Sequence, residues 1–160
     1  MKITGQVRVK APRAAVYAAL RDARFFASSV EGVHDLLEIA PDRYTAVLET
    51  KVAYMSFRFN VTVEMVRAQP PREIEAKVEG TPLGIVGRMT ASALTTLSEA
   101  GDETHIDYSV DANLTGKLGS LGQPVLRSKA KEMERQFAAR LQAAFDRTSA
   151  EAAPGAGAAP

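Results

Sequence analysis

Residues 55–65 read Met-Ser-Phe-Arg-Phe-Asn-Val-Thr-Val-Glu-Met. Met55, Phe57, Phe59, Val61, Val63 and Met65 fall on one side of this run; Ser56, Arg58, Asn60, Thr62 and Glu64 fall on the other. Side chains of an extended chain alternate between faces, so a period of two spells a strand with one buried and one wetted surface. The alternation continues outward in both directions. Upstream, Tyr44, Ala46, Leu48 and Val52 oppose Arg43, Thr45, Glu49 and Lys51, and residues 33–40 form a less regular strand. Downstream, Pro70-Pro71 cannot donate to a ladder and forces a turn. Ile74, Ala76 and Val78 then alternate with Glu73, Glu75, Lys77 and Glu79. Beyond the Gly-Thr-Pro-Leu-Gly turn at 80–84, Met89, Ala91, Ala93 and Leu97 share a face; beyond Gly101-Asp102, Ile106, Tyr108, Val110, Ala112 and Leu114 do. Successive strands joined by short turns, apolar on one side, predict an antiparallel meander.

The flanks complete the pattern. Ile3, Gly5, Val7 and Val9 alternate with polar residues in a first strand, and Ala11-Pro12 opens a helix with Val16, Ala19 and Leu20 on its apolar stripe. A second short helical piece near 23–29 carries Phe25 and Phe26 and is broken by Gly32. After Gly116 the period changes. Leu118, Leu121, Val125, Met133, Phe137, Leu141 and Phe145 recur at three, four or eight residues, the stripe of a long amphipathic helix. Lys129 interrupts that stripe, its stem laid along the apolar surface. Pro124 must occupy the first turn or make a kink. The fold expected is α+β: a curved antiparallel sheet of about seven strands gripping one long C-terminal helix, with two short helices after the first strand. Residues 1–147 form this domain, and 148–160 are expected to be a disordered Ala/Gly/Pro tail or truncated linker.

Composition excludes several chemistries. The chain has 160 residues and a formal charge of +1, so no strong field draws it to nucleic acid. It contains no cysteine, which removes disulfides, thiol nucleophiles and Cys-based metal sites, and its two histidines fall short of a three-His zinc site. The N-terminus has no apolar stretch of a leader type, and no run of eighteen apolar residues predicts a membrane span. A cytoplasmic protein is expected.

A sheet that grips one helix leaves unfilled volume between them, the expected ligand site. The residues predicted to line it are Leu48 on the third strand and Met55, Phe57, Phe59, Val61 and Met65 on the fourth. Ile74, Met89, Tyr108 and Val110 join them from the remaining strands, and Leu121, Val125, Met133 and Phe137 from the helix. Four of the five methionines fall in this set, and their polarizable, adaptable side chains suit an irregular apolar guest as well as they fill core gaps. Only Tyr44, Thr50, Thr95 and Tyr108 bring hydroxyl groups inward, and the alternation places no carboxylate, lysine or histidine there. His34 and His105 read as surface residues, and Asp102-Glu103 as a solvated hairpin tip. No catalytic or metal-ligating residue is assigned, because general acid–base work needs a titratable group within reach of substrate. The interior suits something greasy with one or two hydrogen-bond acceptors.

The residues also resemble a known family. The order of Ile3-Thr-Gly-Gln-Val, Ala11-Pro-Arg, Val16-Tyr-Ala-Ala-Leu-Arg-Asp, Pro41-Asp-Arg-Tyr, Asp107-Tyr-Ser-Val-Asp-Ala, Gly116-Lys-Leu-Gly-Ser-Leu-Gly and Phe137-Ala-Ala-Arg is similar to the G-subunit family of carbon monoxide dehydrogenase. That family sits within the Bet v1-like/START-like (SRPBCC) superfamily of helix-grip proteins. The chain departs from the family pattern at Glu31-Gly32-Val33, where Pro-Gly-Cys is expected. The resemblance implies an accessory to an aerobic molybdenum carbon monoxide dehydrogenase or related hydroxylase, acting at the membrane or in passing electrons to quinone. Combined with the apolar interior, it gives the expectation of a non-enzymatic carrier of a quinone (menaquinone or ubiquinone type) or lipid. Such a carrier has no covalent cofactor and is peripheral to the inner face of the membrane. A polyketide cyclase/dehydrase-like enzyme and a ligand-free docking factor are the alternatives.

Overall fold

A computed structural model describes the backbone of residues 1–158 and the side chains of residues 1–147. The tail expected at 148–160 lies outside the residues described to the side chain. The order is β1 (Lys2–Val9), α1 (Arg13–Arg21), α2 (Ala23–Ser28), β2 (Val33–Ala40), β3 (Arg43–Val52), β4 (Met55–Gln69), β5 (Glu73–Pro82), β6 (Gly87–Ala100), β7 (Glu103–Gly116), a 3-10 turn (Gly119–Leu121) and α3 (Gln123–Ala158). Seven strands form one sheet in the order β1-β7-β6-β5-β4-β3-β2, with every neighbouring pair antiparallel. The meander read from the alternation is therefore observed, and β1 returns to the far edge beside β7.

Local chemistry sets the element ends. Pro12 caps α1 in an extended conformation, and the helix buries Val16, Tyr17 and Leu20. The Asp22 side chain accepts from the backbone N–H groups of Arg24 and Phe25, which starts α2. Gly32 ends the α2–β2 segment with φ of +86°, and a Cβ there would collide with the Glu49 carbonyl. Only glycine meets both demands, because the left-handed region and the missing side chain coincide. The Leu126 N–H bonds the Gly122 carbonyl, which puts Pro124 in the first turn of α3. A first-turn proline has no intrahelical donor to lose, so no kink is needed.

The apolar interior is split between two clusters. At one end, Val7, Val9, Val16, Tyr17, Leu20, Ile74, Leu97, Ile106 and Leu141 are buried together, with Phe137 and Phe145 of α3 packed against them. Phe25 lies 5.9 Å from Phe145 and Phe26 lies 5.4 Å from Phe137, ring centre to ring centre. These tilted pairs fix how α3 is rotated over the sheet. At the other end, Val52, Phe57, Phe59 and Leu118 form the second cluster beneath the start of α3.

Candidate functional site

The cleft between α3 and the sheet has a volume of about 750 Å³. Ser29, Val30, Glu31 and Gly32 wall it on the α2–β2 side, and Glu49, Thr50, Lys51, Ser56, Phe57 and Arg58 line it from the β3–β4 hairpin. Leu83 reaches in from the β5–β6 turn, and α3 contributes Lys129, Glu132, Met133 and Gln136. Positions 129, 132, 133 and 136 recur at helical spacing, so one face of α3 roofs the cleft.

Of the residues expected to line one cavity, Phe57 and Met133 line this cleft. Leu48, Met55, Phe59, Val61, Met89, Leu121 and Val125 pack with Phe57 in the second cluster, where Phe57 and Phe59 stack at 5.8 Å. Met65, Ile74, Tyr108 and Phe137 belong to the first cluster, and Val110 is half-buried in neither. The division has a physical cause. β4 runs for 15 residues and spans more length than one cavity, and α1, α2 and the later half of α3 fill one end with aromatic rings.

The polar inventory needs a correction. The alternation placed no carboxylate or lysine inside, yet Lys129 and Glu132 line the cleft, with Nζ 3.2 Å from Oε2. The Lys129 side chain is only 16% exposed. The interruption of the apolar stripe at Lys129 was the available signal: the cleft-facing stripe of α3 is rotated from its core-facing stripe. At the hairpin wall, Arg58 meets Glu49 at 3.4 Å, and Glu49 also lies 3.5 Å from His34 Nε2. His105 sits 2.8 Å from Glu103, away from the cleft. Among the described residues, no group of three or more His, Cys, Asp or Glu is arranged to hold a metal ion.

A second carboxylate meets one of the expected interior hydroxyls, that of Tyr108. Tyr108 donates its hydroxyl to Glu134 Oε1 at 2.5 Å, and Lys131 Nζ stands 3.7 Å from the other oxygen. Gly5, opposite Tyr108 in the β1–β7 ladder, makes the room: a Cβ there would overlap both the Glu134 carboxylate and the Tyr108 hydroxyl. Burial, and then the Glu134 bond and charge, push the Tyr108 phenol upward. Burial alone pushes Tyr44 up to about 12. Both phenols are therefore neutral donors near pH 7, and neither is poised to act as a base.

A family model for the G subunit of carbon monoxide dehydrogenase (CoxG) matches residues 5–145. The chain belongs to the CoxG family. Its fold recurs in solved structures of low sequence identity. A conserved protein from Geobacillus kaustophilus is 22% identical with a TM-score of 0.85, covering 92% of this chain and 97% of its own. A START superfamily protein from Mycobacterium smegmatis is 12% identical with a TM-score of 0.68, covering 92% and 98%. The Zhui aromatase/cyclase from Streptomyces sp. R1128 is 16% identical with a TM-score of 0.67, covering 92% and 94%. These likenesses show that this CoxG protein shares their fold, a curved antiparallel sheet gripping one long C-terminal helix. No curated protein matches the chain.

Proposed function

We propose that this CoxG-family protein binds a hydrophobic small molecule of quinone type in the cleft under α3, as a non-enzymatic accessory to a molybdenum carbon monoxide dehydrogenase or related hydroxylase. The observation that carries the reading is the make-up of that cleft. Phe57, Met133, Val30 and Leu83 offer apolar surface, while Lys129, Gln136 and Thr50 offer donors beside it. A flat ring with two carbonyl oxygens fits this division: its face covers Phe57 and Met133, and its oxygens accept from the donors. The family name supplies the enzyme partner, and the two neutral phenols and the exposed Arg58–Glu49 pair suit binding better than catalysis.

A membrane source for the ligand agrees with the end of the molecule beside the cleft. The β3–β4 hairpin carries Tyr54, 93% exposed, and the β5–β6 turn carries Val86, 86% exposed, and Leu83. The β5–β6 turn is tied to its neighbours: the Leu83 N–H bonds the carbonyl of Arg58 on β4 at 2.8 Å, and the N–H of Lys117, just after β7, bonds the Val86 carbonyl at 3.1 Å. Lys51 and Lys117 flank them, exposed and without an ion pair among the described residues. Apolar tips ringed by free cations match an anionic bilayer surface. Among the described residues, no helix is long and apolar enough to cross a membrane, so the contact proposed is peripheral.

Titration with a short-tailed naphthoquinone or benzoquinone, followed by tyrosine fluorescence quenching, tests the reading. Saturable binding in the micromolar range is expected. Phe57→Asp removes it by placing an unpaired charge against the ligand, and Met133→Ala, which adds no charge, weakens it by about five- to tenfold. Absence of saturable binding in the folded wild-type protein contradicts the proposal.

A further inference from the structure

The cleft under α3 is lined by acceptors as well as donors. Its carboxylates are Glu31, Glu49 and Glu132, and each stands beside a cation. Glu132 Oε2 lies 3.2 Å from Lys129 Nζ, Glu49 Oε1 lies 3.4 Å from Arg58 Nε, and Glu31 Oε2 lies 4.0 Å from Arg140 Nη2. The oxygens of a quinone only accept hydrogen bonds, so an oxidised ring uses the cations and has nothing to offer the carboxylates. The reduced ring, a hydroquinone, carries a hydroxyl at each of those positions, and a hydroxyl both accepts and donates. A cation beside a carboxylate therefore matches a hydroxyl and mismatches a carbonyl.

Of these pairs, Lys129 with Glu132 discriminates best. Its two atoms, 3.2 Å apart, leave a point about 2.8 Å from both, where one oxygen accepts from Nζ and donates to Oε2. A carbonyl oxygen at that point faces the carboxylate with no proton between them, and two oxygens of like partial charge repel. Lys129 is largely buried, so water competes weakly for it, whereas Arg58 and Glu49 are each more than half exposed. Phe57 and Met133 line the same cleft and cover the ring in either redox form, so they add affinity without preference. We propose that the cleft selects the reduced form of its ligand, a hydroquinone, one hydroxyl of which bridges Lys129 Nζ and Glu132 Oε2. This inference rests on the quinone reading and adds the redox state to it. Tighter binding of the reduced form raises the potential of the bound couple, by about 30 mV for each tenfold difference in affinity in a two-electron couple.

Anaerobic calorimetry of the full-length protein with menadione, menadiol and the dimethyl ether of menadiol tests the preference. Menadiol should bind at least about tenfold more tightly than menadione, because its hydroxyl gains a hydrogen bond to a charged acceptor. The ether has the ring of the reduced form without the hydroxyl hydrogens, and it should bind no better than menadione. Glu132→Gln keeps the size of the side chain and removes the charge from an exposed position on α3. It should weaken menadiol by about tenfold and leave menadione unchanged, which a general loss of folding would not do. Lys129→Met removes a donor that either form uses and should weaken both. Equal affinity for the two forms, tighter binding of menadione, or a preference that survives in Glu132→Gln overturns this inference and leaves the quinone reading standing. Binding of neither form by the folded wild-type protein overturns both.

Discussion

Gly5→Ala offers a sharp test of how α3 is held to the sheet. The added Cβ would overlap the Glu134 carboxylate and the hydroxyl of Tyr108, both far ends of side chains. Side-chain ends move before backbone does, so the change breaks the hydrogen bond that the two groups share across β7 and α3. A hydrogen bond to a charged group contributes about 1.5–3 kcal/mol. Removing a glycine offsets about 0.4–1 kcal/mol of that by restricting the unfolded chain. The net loss is about 1–2 kcal/mol, or about 2–8 °C in Tm for a chain of this length. Calorimetry or circular dichroism melting reads it directly. Gly80→Ala is the matched control: the one tight contact of its Cβ would be with the tip of Met89 at 2.9 Å, which a flexible thioether relieves, while Met89 Cβ and Phe59 lie at ordinary contact distance. The two variants should differ clearly, and Gly5→Ala combined with Tyr108→Phe should cost less than the two changes summed, because both lose one bond. A neutral or stabilising Gly5→Ala, or one matching Gly80→Ala, would refute the reasoning.

The remaining predictions concern pH and the membrane-facing end. Tyr44 and Tyr108 keep their protons in the folded state beyond the unfolded phenol value of about 10. The folded state therefore binds more protons than the unfolded one above that pH, and stability falls as pH rises from about 10 towards 12, within the window set by Tyr44. Urea melts across this range should flatten in Tyr44→Phe relative to wild type, and identical slopes would count against the burial argument. The chain has no tryptophan, so Tyr54→Trp creates a single reporter at the hairpin tip. Its emission should shift to the blue with vesicles containing anionic lipid, less so with neutral vesicles, and reverse with salt; an unchanged spectrum would remove the bilayer contact. Tyr54→Asp in the otherwise native chain should reduce vesicle co-sedimentation without altering the melting temperature, because the side chain is exposed and touches no core.

What could be read from the sequence follows from how local each signal is. A strand declares its inward face at every second residue, so Met55–Met65 and the runs on either side gave the sheet and its order. The bulge between Met65 and Arg67 lies outside that rule: it shifts the β4–β5 register, so that beyond it Arg67 pairs with the outward Glu75 and Ala68 with the inward Ile74. The site was less legible because it depends on contacts between distant elements. Whether Lys129, Glu132 and Gln136 face a cleft is decided by the rotation of α3, which the Phe25–Phe145 and Phe26–Phe137 pairs set. Glu134 reads as a solvent-facing residue of an amphipathic helix until Gly5, at the other end of the chain, vacates the space it needs. Tyr44 and Tyr108 were visible as inward hydroxyls, but their different states, one without a partner and one bonded to Glu134, appear only in three dimensions.

The central claim is that the cleft under α3 holds a hydrophobic ligand. Native mass spectrometry of the purified protein, with organic extraction of whatever accompanies it and quinone added back to any apo fraction, tests that claim most directly. The account predicts a discrete adduct that extracts as a quinone or is restored by one, and that is lost in Phe57→Asp. A clean apo mass that stays unchanged when quinone is added would contradict it.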